Sequence, residues 1–242
     1  DCRNVRQGMN FMDRKQVRQE RSNLLRLVLF RLFSGLLLIG GLLFAFAGSF
    51  RYWQAWLFLA ALAIPLVMTL IFLLRKDPAL LEKRMNLKEP RKEQRKIILV
   101  SGVFMLLGFF LPGLDYRFQW SSVPIWLVVV SVIVFEFSYA MIVAVFAQNS
   151  YASRVVEIQE GQQLIDTGLY AIIRHPMYSA SIILYLSIPL MLGSYVAVIP
   201  MALSCLEIIA RIKDEEEMLK AGLAGYTAYT QRVKYRLIPY VW

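Results

Sequence analysis

Apolar residues in this chain come in long uninterrupted blocks, with the charged residues gathered between them. The blocks occupy residues 28–48, 53–74, 97–114, 123–147, 179–192 and 195–210. A helix needs about 17–25 residues to cross the hydrocarbon of a bilayer, so the first four blocks reach or approach a full span and the last two are short. Gly193-Ser194 separates the short pair and predicts a broken helical hairpin hinged there. The expected fold class is all-α, a polytopic membrane helix bundle with about six hydrophobic segments. Composition agrees: 58% of the residues are hydrophobic and the mean hydropathy is +0.52, against about 45–50% apolar content in an average soluble domain.

The polar stretches divide the chain into a basic arm over 1–23, membrane helices over 24–148 with a loop at 75–96, and a mixed segment from 149 to 242. The net charge of +10 would suit nucleic acid, but position argues otherwise. Lys and Arg gather in the first 31 residues, in Arg75 to Lys96, around Arg154 and Arg174, and after Arg211, whereas Arg51 and Arg117 fall on the other side of this threading. The bias predicts a multi-pass protein with both termini in the cytosol. The basic excess then reflects topology and attraction to anionic headgroups of membrane lipids, not nucleic acid. Cys2 lies in the polar arm and Cys205 in an apolar block, so neither a disulfide nor a metal site is expected. The first apolar block runs too long for a cleavable signal, and Met9 or Met12 is a candidate natural start.

Two polar stretches carry their own pattern. Asp77-Pro-Ala-Leu-Leu-Glu-Lys-Arg-Met-Asn86 suits either a short amphipathic helix on the membrane surface or an ordinary solvated loop. Asn149 to Ile173 is polar with apolar punctuation at Val155, Val156, Ile158, Leu164 and Ile165, and Gly161 and Gly168 mark turns. That connector is too long to be slack in a compact domain and predicts an ordered binding element.

Candidate chemistry concentrates at Arg174-His175-Pro176, which contains the only histidine. Proline biases the residue before it to extended backbone and is favoured at the first helical position, so a helix should begin near Pro176. An imidazole and a guanidinium at such an entrance can grip a polar ligand; the plainer reading is an interfacial turn with Arg174 snorkelling to headgroups. Further on, Arg211 and Glu215 lie four apart and share a helix face with Glu207, which is expected to pair with Arg211 or Arg174. The acids Asp214 to Glu217 would oppose the macrodipole at a helix C-terminus, so they require a longer helix or a cationic partner. Glu136 sits within the fourth apolar block, where a charge is functional by default or else protonated or hydrogen-bonded to a neighbour.

Gly161-Gln162, Gly168-Leu-Tyr170, Arg174-His-Pro-Met-Tyr178, the acidic cluster, Tyr226-Thr-Ala-Tyr229, Arg232-Val233 and Ile238-Pro239 occur in one order over residues 150 to 240. In this the chain resembles the isoprenylcysteine carboxyl methyltransferases and phospholipid methyltransferases, a family of integral membrane methyltransferases. Gly222-Leu-Ala-Gly225 replaces the family's usual Phe-Gly before the first tyrosine. The resemblance implies S-adenosyl-L-methionine as cofactor, in a cytosolic pocket built from Gln162, Gln163, Leu164, Ile165, Tyr170, His175, Pro176, Met177, Tyr178 and Glu215. Spacing back from Tyr226 favours Asp214 for the acidic contact, and spacing from Arg211 favours Glu215. Arg174 and Arg211 are implied as the catalytic, substrate-holding pair. The acceptor would be lipidic or small and apolar, most simply a carboxylate of the isoprenylcysteine type, with a phospholipid amine or a small thiol as alternatives. The chain has no G-x-G-x-x-G turn and no strand–helix alternation, which excludes a Rossmann domain. A membrane sterol-type NADPH reductase, whose architecture is similar, and a transporter using Glu136 are the readings from other classes.

Overall fold

The computed structural model describes residues 2–85, 92–153 and 157–242. Asn86 of the surface segment and Arg154, Val155 and Val156 of the connector lie outside the described residues. The elements are α1 (Cys2–Ala47), α2 (Trp53–Lys76), α3 (Pro78–Met85), α4 (Lys92–Phe118), α5 (Ile125–Gln148), α6 (Pro176–Met191), α7 (Val198–Gly222) and α8 (Tyr226–Arg232), with a 3₁₀ turn at Gly168–Ala171. No strand occurs among the described residues, and the all-α expectation holds. Ser22–Ala47, Trp53–Lys76, Ile98–Phe118 and Ile125–Gln148 are long and apolar enough to cross a membrane, and α6 is a shorter apolar helix. The chain is an integral, multi-pass membrane protein.

Two compact units divide at Leu38 and Ile39, inside α1. The first unit is helical, so the basic arm of the sequence continues into the first span without a break. The second unit holds everything from Ile39 onward. Its core gathers Leu43 and Ala47 from the end of α1, Tyr52, Phe58 and Ala61 around α2, Phe109 from α4, Phe135 from α5, Met191 from α6 and Met201 from α7. Large apolar side chains such as Ile64, Met68, Val103, Ile133 and Phe137 point outward instead. In water that pattern would be a liability, and in lipid it is the required surface.

Close helix approach depends on Gly113. A Cβ there would sit 2.9 Å from the Leu43 carbonyl oxygen and 2.9 Å from Phe46 Cβ, so only glycine lets α4 cross the end of α1 at this separation. At the same end of the bundle, buried Asp115 accepts hydrogen bonds from the Ser121 backbone N–H at 2.7 Å and from the hydroxyls of Ser121 and Ser194. The Tyr52 hydroxyl donates to the Leu192 carbonyl. These bonds tie the α4–α5 turn to the α6–α7 hinge, where Gly193 takes φ +77°. The hinge therefore falls where the sequence puts it, between α6 and α7.

At the opposite end the polar segments acquire structure. The surface segment is helical: α3 covers Pro78–Met85, and its Leu80 N–H is capped by Asp77 Oδ1 at 2.9 Å. The acidic cluster does not end a helix, because α7 runs on to Gly222. Gly113→Leu should destabilise the bundle by about 1–3 kcal/mol through overpacking, whereas Gly102→Ala, which meets open space, should be silent. Thermal unfolding of both variants in detergent tests this.

Candidate functional site

Pro176 opens α6, and His175 before it has φ −127°, so the Arg-His-Pro segment is the helix entrance that proline chemistry dictates. Its backbone is held from the C-terminal segment: the Arg174 N–H donates to the Tyr235 carbonyl and the His175 N–H to the Arg236 carbonyl, each at 2.9 Å. The Ser179 hydroxyl adds a bond to the Leu237 carbonyl at 2.6 Å.

The side chains of this entrance meet Glu216, only 2% exposed. Arg174 Nε donates to Glu216 Oε1 at 2.7 Å, and His175 Nε2 lies 3.2 Å from the same oxygen. Arg236 reaches Oε2 through Nε at 3.1 Å and NH2 at 3.0 Å. Arg174 NH1 also donates to the carbonyls of Val233 and Lys234, at 2.7 and 2.9 Å. Burial alone would raise the Glu216 pKa, but the hydrogen bonds from His175, Arg236 and Arg174 outweigh it and hold the carboxyl well below the usual range.

Sequence reasoning passed over Glu216 and Arg236. A signal existed: Cys205, Ile208, Ile212 and Leu219 form the buried stripe of α7, and Glu216 stands in that stripe. An acid on an apolar stripe implies a cationic partner across the interface.

The neighbouring Glu215 behaves differently. It accepts from the Tyr178 hydroxyl at 2.6 Å, and that hydroxyl accepts from Arg211 Nε at 3.0 Å. Arg211, Tyr178 and Glu215 thus form a chain along one wall of a cleft, and Asp214 does not line it. The cleft holds ≈ 830 Å³ of open space, its mouth included. Every residue assigned to the cofactor or the substrate from sequence lines it: Gln162, Gln163, Leu164, Ile165, Tyr170, Arg174, His175, Pro176, Met177, Tyr178, Arg211 and Glu215. The structure also brings in Asn149, Tyr151 and Glu157 of the connector, and Leu219, Leu223, Tyr226 and Tyr229, none of which was singled out from sequence as a cofactor or substrate contact.

The described residues of the connector form the facing wall. Gln162 Oε1 accepts from the Gln159 N–H at 2.9 Å, Asn149 Nδ2 donates to the Tyr170 hydroxyl at 2.8 Å, and the Tyr229 hydroxyl donates to the Tyr170 carbonyl at 2.7 Å. Burial, with a smaller push from Glu215, raises the Tyr170 phenol to about 12 despite the Asn149 bond. Beyond Glu215 the cleft turns apolar, with Leu164, Met218, Leu219, Leu223, Tyr226 and Tyr229 packed together. The Tyr226 hydroxyl is buried there with no hydrogen-bond partner among the described residues. Burial first, then Glu216 and Glu215, keep that phenol protonated.

Two intramembrane acids lie outside the cleft. Glu207 faces the Ser101 hydroxyl of α4. The expected partnership with Arg174 does not form, because Glu216 holds that guanidinium. Glu136 is half-buried on α5 and does not line the cleft.

Residues 127–221 match the model of the isoprenylcysteine carboxyl methyltransferase (ICMT) family. That stretch contains most of α5, the connector, the Arg-His-Pro entrance with α6, and most of α7. No curated protein matches the chain. Among solved structures, the eukaryotic intramembrane Ras methyltransferase ICMT superposes with a TM-score of 0.54 and 18% identity, over 95% of this chain and 86% of that one. At that identity the likeness is one of fold.

A depressed carboxyl pKa stabilises the fold above the unfolded value. The contribution of Glu216 should therefore be intact above about pH 4.3 and fade as pH falls below it toward the folded value. Glu216→Gln should flatten that part of a stability–pH curve measured in detergent. Removing an unpartnered hydroxyl removes a desolvation cost of about 1–3 kcal/mol, so Tyr226→Phe should leave the melting temperature of ligand-free protein unchanged or raise it.

Proposed function

We propose that the chain is a member of the isoprenylcysteine carboxyl methyltransferase family, whose model matches residues 127–221, and that it transfers a methyl group from S-adenosyl-L-methionine to the carboxylate of a lipidic, isoprenylcysteine-type acceptor at the cytosolic face of a membrane. The observation that carries this reading is the pairing of Arg211 and Glu215 through Tyr178 on one wall of a cleft at the end of a membrane bundle. A cationic group for the acceptor and an anionic group for the donor stand one helical turn apart, which suits a reaction that brings a carboxylate to a cationic sulfonium.

The residues present fit the cofactor. Glu215 offers a carboxylate to an ammonium, Gln162 and Gln163 offer amides, and Leu164, Leu219, Leu223 and Tyr229 offer an apolar and aromatic surface to a purine. The buried Tyr226 hydroxyl is one further polar group at that end. When bound, the donor supplies an electrophilic methyl group on sulfur.

The chain itself has limited tasks in such a displacement. A carboxylate is ionised at neutral pH and needs no general base. Arg211 would hold and orient it, while Tyr178 accepts from its Nε. Arg174, implied from sequence as the partner of Arg211 in holding the acceptor, commits Nε and NH1 to Glu216 and backbone carbonyls, so we assign it instead to holding the helix entrance. The acceptor's tail would lie among the membrane helices and leave its head at the rim. In this threading α3, the connector and the C-terminus would face the cytosol, in keeping with the distribution of Lys and Arg.

The test uses S-adenosylmethionine labelled in the methyl group, with detergent-purified protein and N-acetyl-S-farnesylcysteine. Base-labile label, released as methanol, is expected, and Arg211→Ala should lower kcat/KM for the acceptor by about tenfold to a hundredfold. Base-stable label in a phospholipid amine or a thioether would overturn the carboxylate assignment. NADPH-dependent reduction without methyl transfer would overturn the methyltransferase reading.

A further inference from the structure

The matched family segment begins at residue 127, yet one group from the first half of the chain touches both walls of the cleft. Arg84 stands on α3, whose Leu80 and Leu81 are buried beneath it. Its NH1 donates to the Ala152 carbonyl at 2.8 Å and lies 3.9 Å from Met177 Sδ. Its guanidinium carbon lies 4.3 Å from the centre of the Phe146 ring. Ala152 belongs to the connector wall and Met177 to the α6 entrance wall, and both line the cleft.

A second strap leaves the same helix. Lys83 Nζ donates to Gln159 Oε1, Gln159 Nε2 donates to the Tyr151 carbonyl at 3.1 Å, and the Gln159 N–H donates to Gln162 Oε1 at 2.9 Å. Gln162 faces the cleft. The described part of the connector holds no α-helix or strand, only turns and one 3₁₀ turn, so ties to other elements help to keep its shape.

We propose that α3 is part of the donor site and that Arg84 is a positioning residue, holding the connector wall and the α6 entrance at the separation the donor requires. Arg84 is not among the residues that line the cleft, whereas Ala152 and Met177, through which it acts, are. A planar guanidinium suits this place because it can donate in its plane to a carbonyl while its face rests on Phe146, which a lysine ammonium cannot reproduce. The inference rests on the donor-binding reading of the cleft given above.

The experiment measures S-adenosylhomocysteine affinity by calorimetry, and donor KM, acceptor KM and kcat by methyl transfer. Wild type, Arg84→Ala, Arg84→Lys and Gln159→Ala are compared, each with its melting temperature. Arg84→Ala should weaken S-adenosylhomocysteine about tenfold, the size of a lost charge-assisted hydrogen bond. It should raise the donor KM alike, with acceptor KM and kcat at saturating donor preserved; Arg84→Lys should recover part of the loss. Unchanged affinity in folded Arg84→Ala overturns the proposal, as does an equal deterioration of both KM values and kcat, which marks general destabilisation. If Arg84→Ala does not fold, Gln159→Ala decides: weaker donor binding supports the strap, and wild-type affinity overturns it. Failure of wild type itself to bind would instead remove the donor reading of the cleft.

Discussion

The carboxylate of Glu216 is the point on which the site depends. It is buried, and one of its oxygens faces Arg174 and His175 while the other faces Arg236. These groups come from the helix entrance, from α7 and from the segment after α8, stretches that share no local reason to meet. Leaving any one charge unpaired in such a place costs about 3–5 kcal/mol. The knot is therefore strongly selective: α6, α7 and the C-terminal segment either dock together or all pay desolvation.

The rest of the cleft follows from that docking. With Glu216 turned inward on α7, Glu215 is rotated by about 100° onto the open face, where it joins Tyr178 and Arg211. Adjacent residues of identical chemistry thus have separate tasks, one structural and one facing the ligand space. The opposite end of the bundle is closed by Asp115 with Ser121 and Ser194, which fixes the hinge between α6 and α7. Between the two ends, packing is apolar in both directions, toward the core and toward lipid. Charge is thus confined mainly to the ends of the bundle, where it sets geometry.

Much of this was legible in the sequence because a bilayer tolerates so few solutions. Long charge-free runs become spans, and a glycine between two short runs becomes a hinge. The connector and the Arg-His-Pro entrance were legible through turn residues and motif order, and Arg211 and Glu215 through helical spacing. Glu216 was not recognised, since four successive acids on a helix point in four directions, and which one turns inward is decided by the distant segment around Arg236. Sequence reasoning gave Asp115 no role, because its partners, Ser121 and Ser194, lie on separate turns. Helix or loop stayed open for residues 77–86; the buried Leu80 and Leu81 settle it for α3, since the contact that orders this helix is tertiary.

The most direct measurement compares two neighbouring isosteric changes, Glu215→Gln and Glu216→Gln, by S-adenosylhomocysteine calorimetry and thermal melting on the same detergent-purified samples. The division of labour argued above predicts that Glu215→Gln melts like wild type and loses most of its affinity, whereas Glu216→Gln melts well below wild type. Wild-type affinity in Glu215→Gln, or a melting temperature for Glu216→Gln equal to that of wild type, would contradict it.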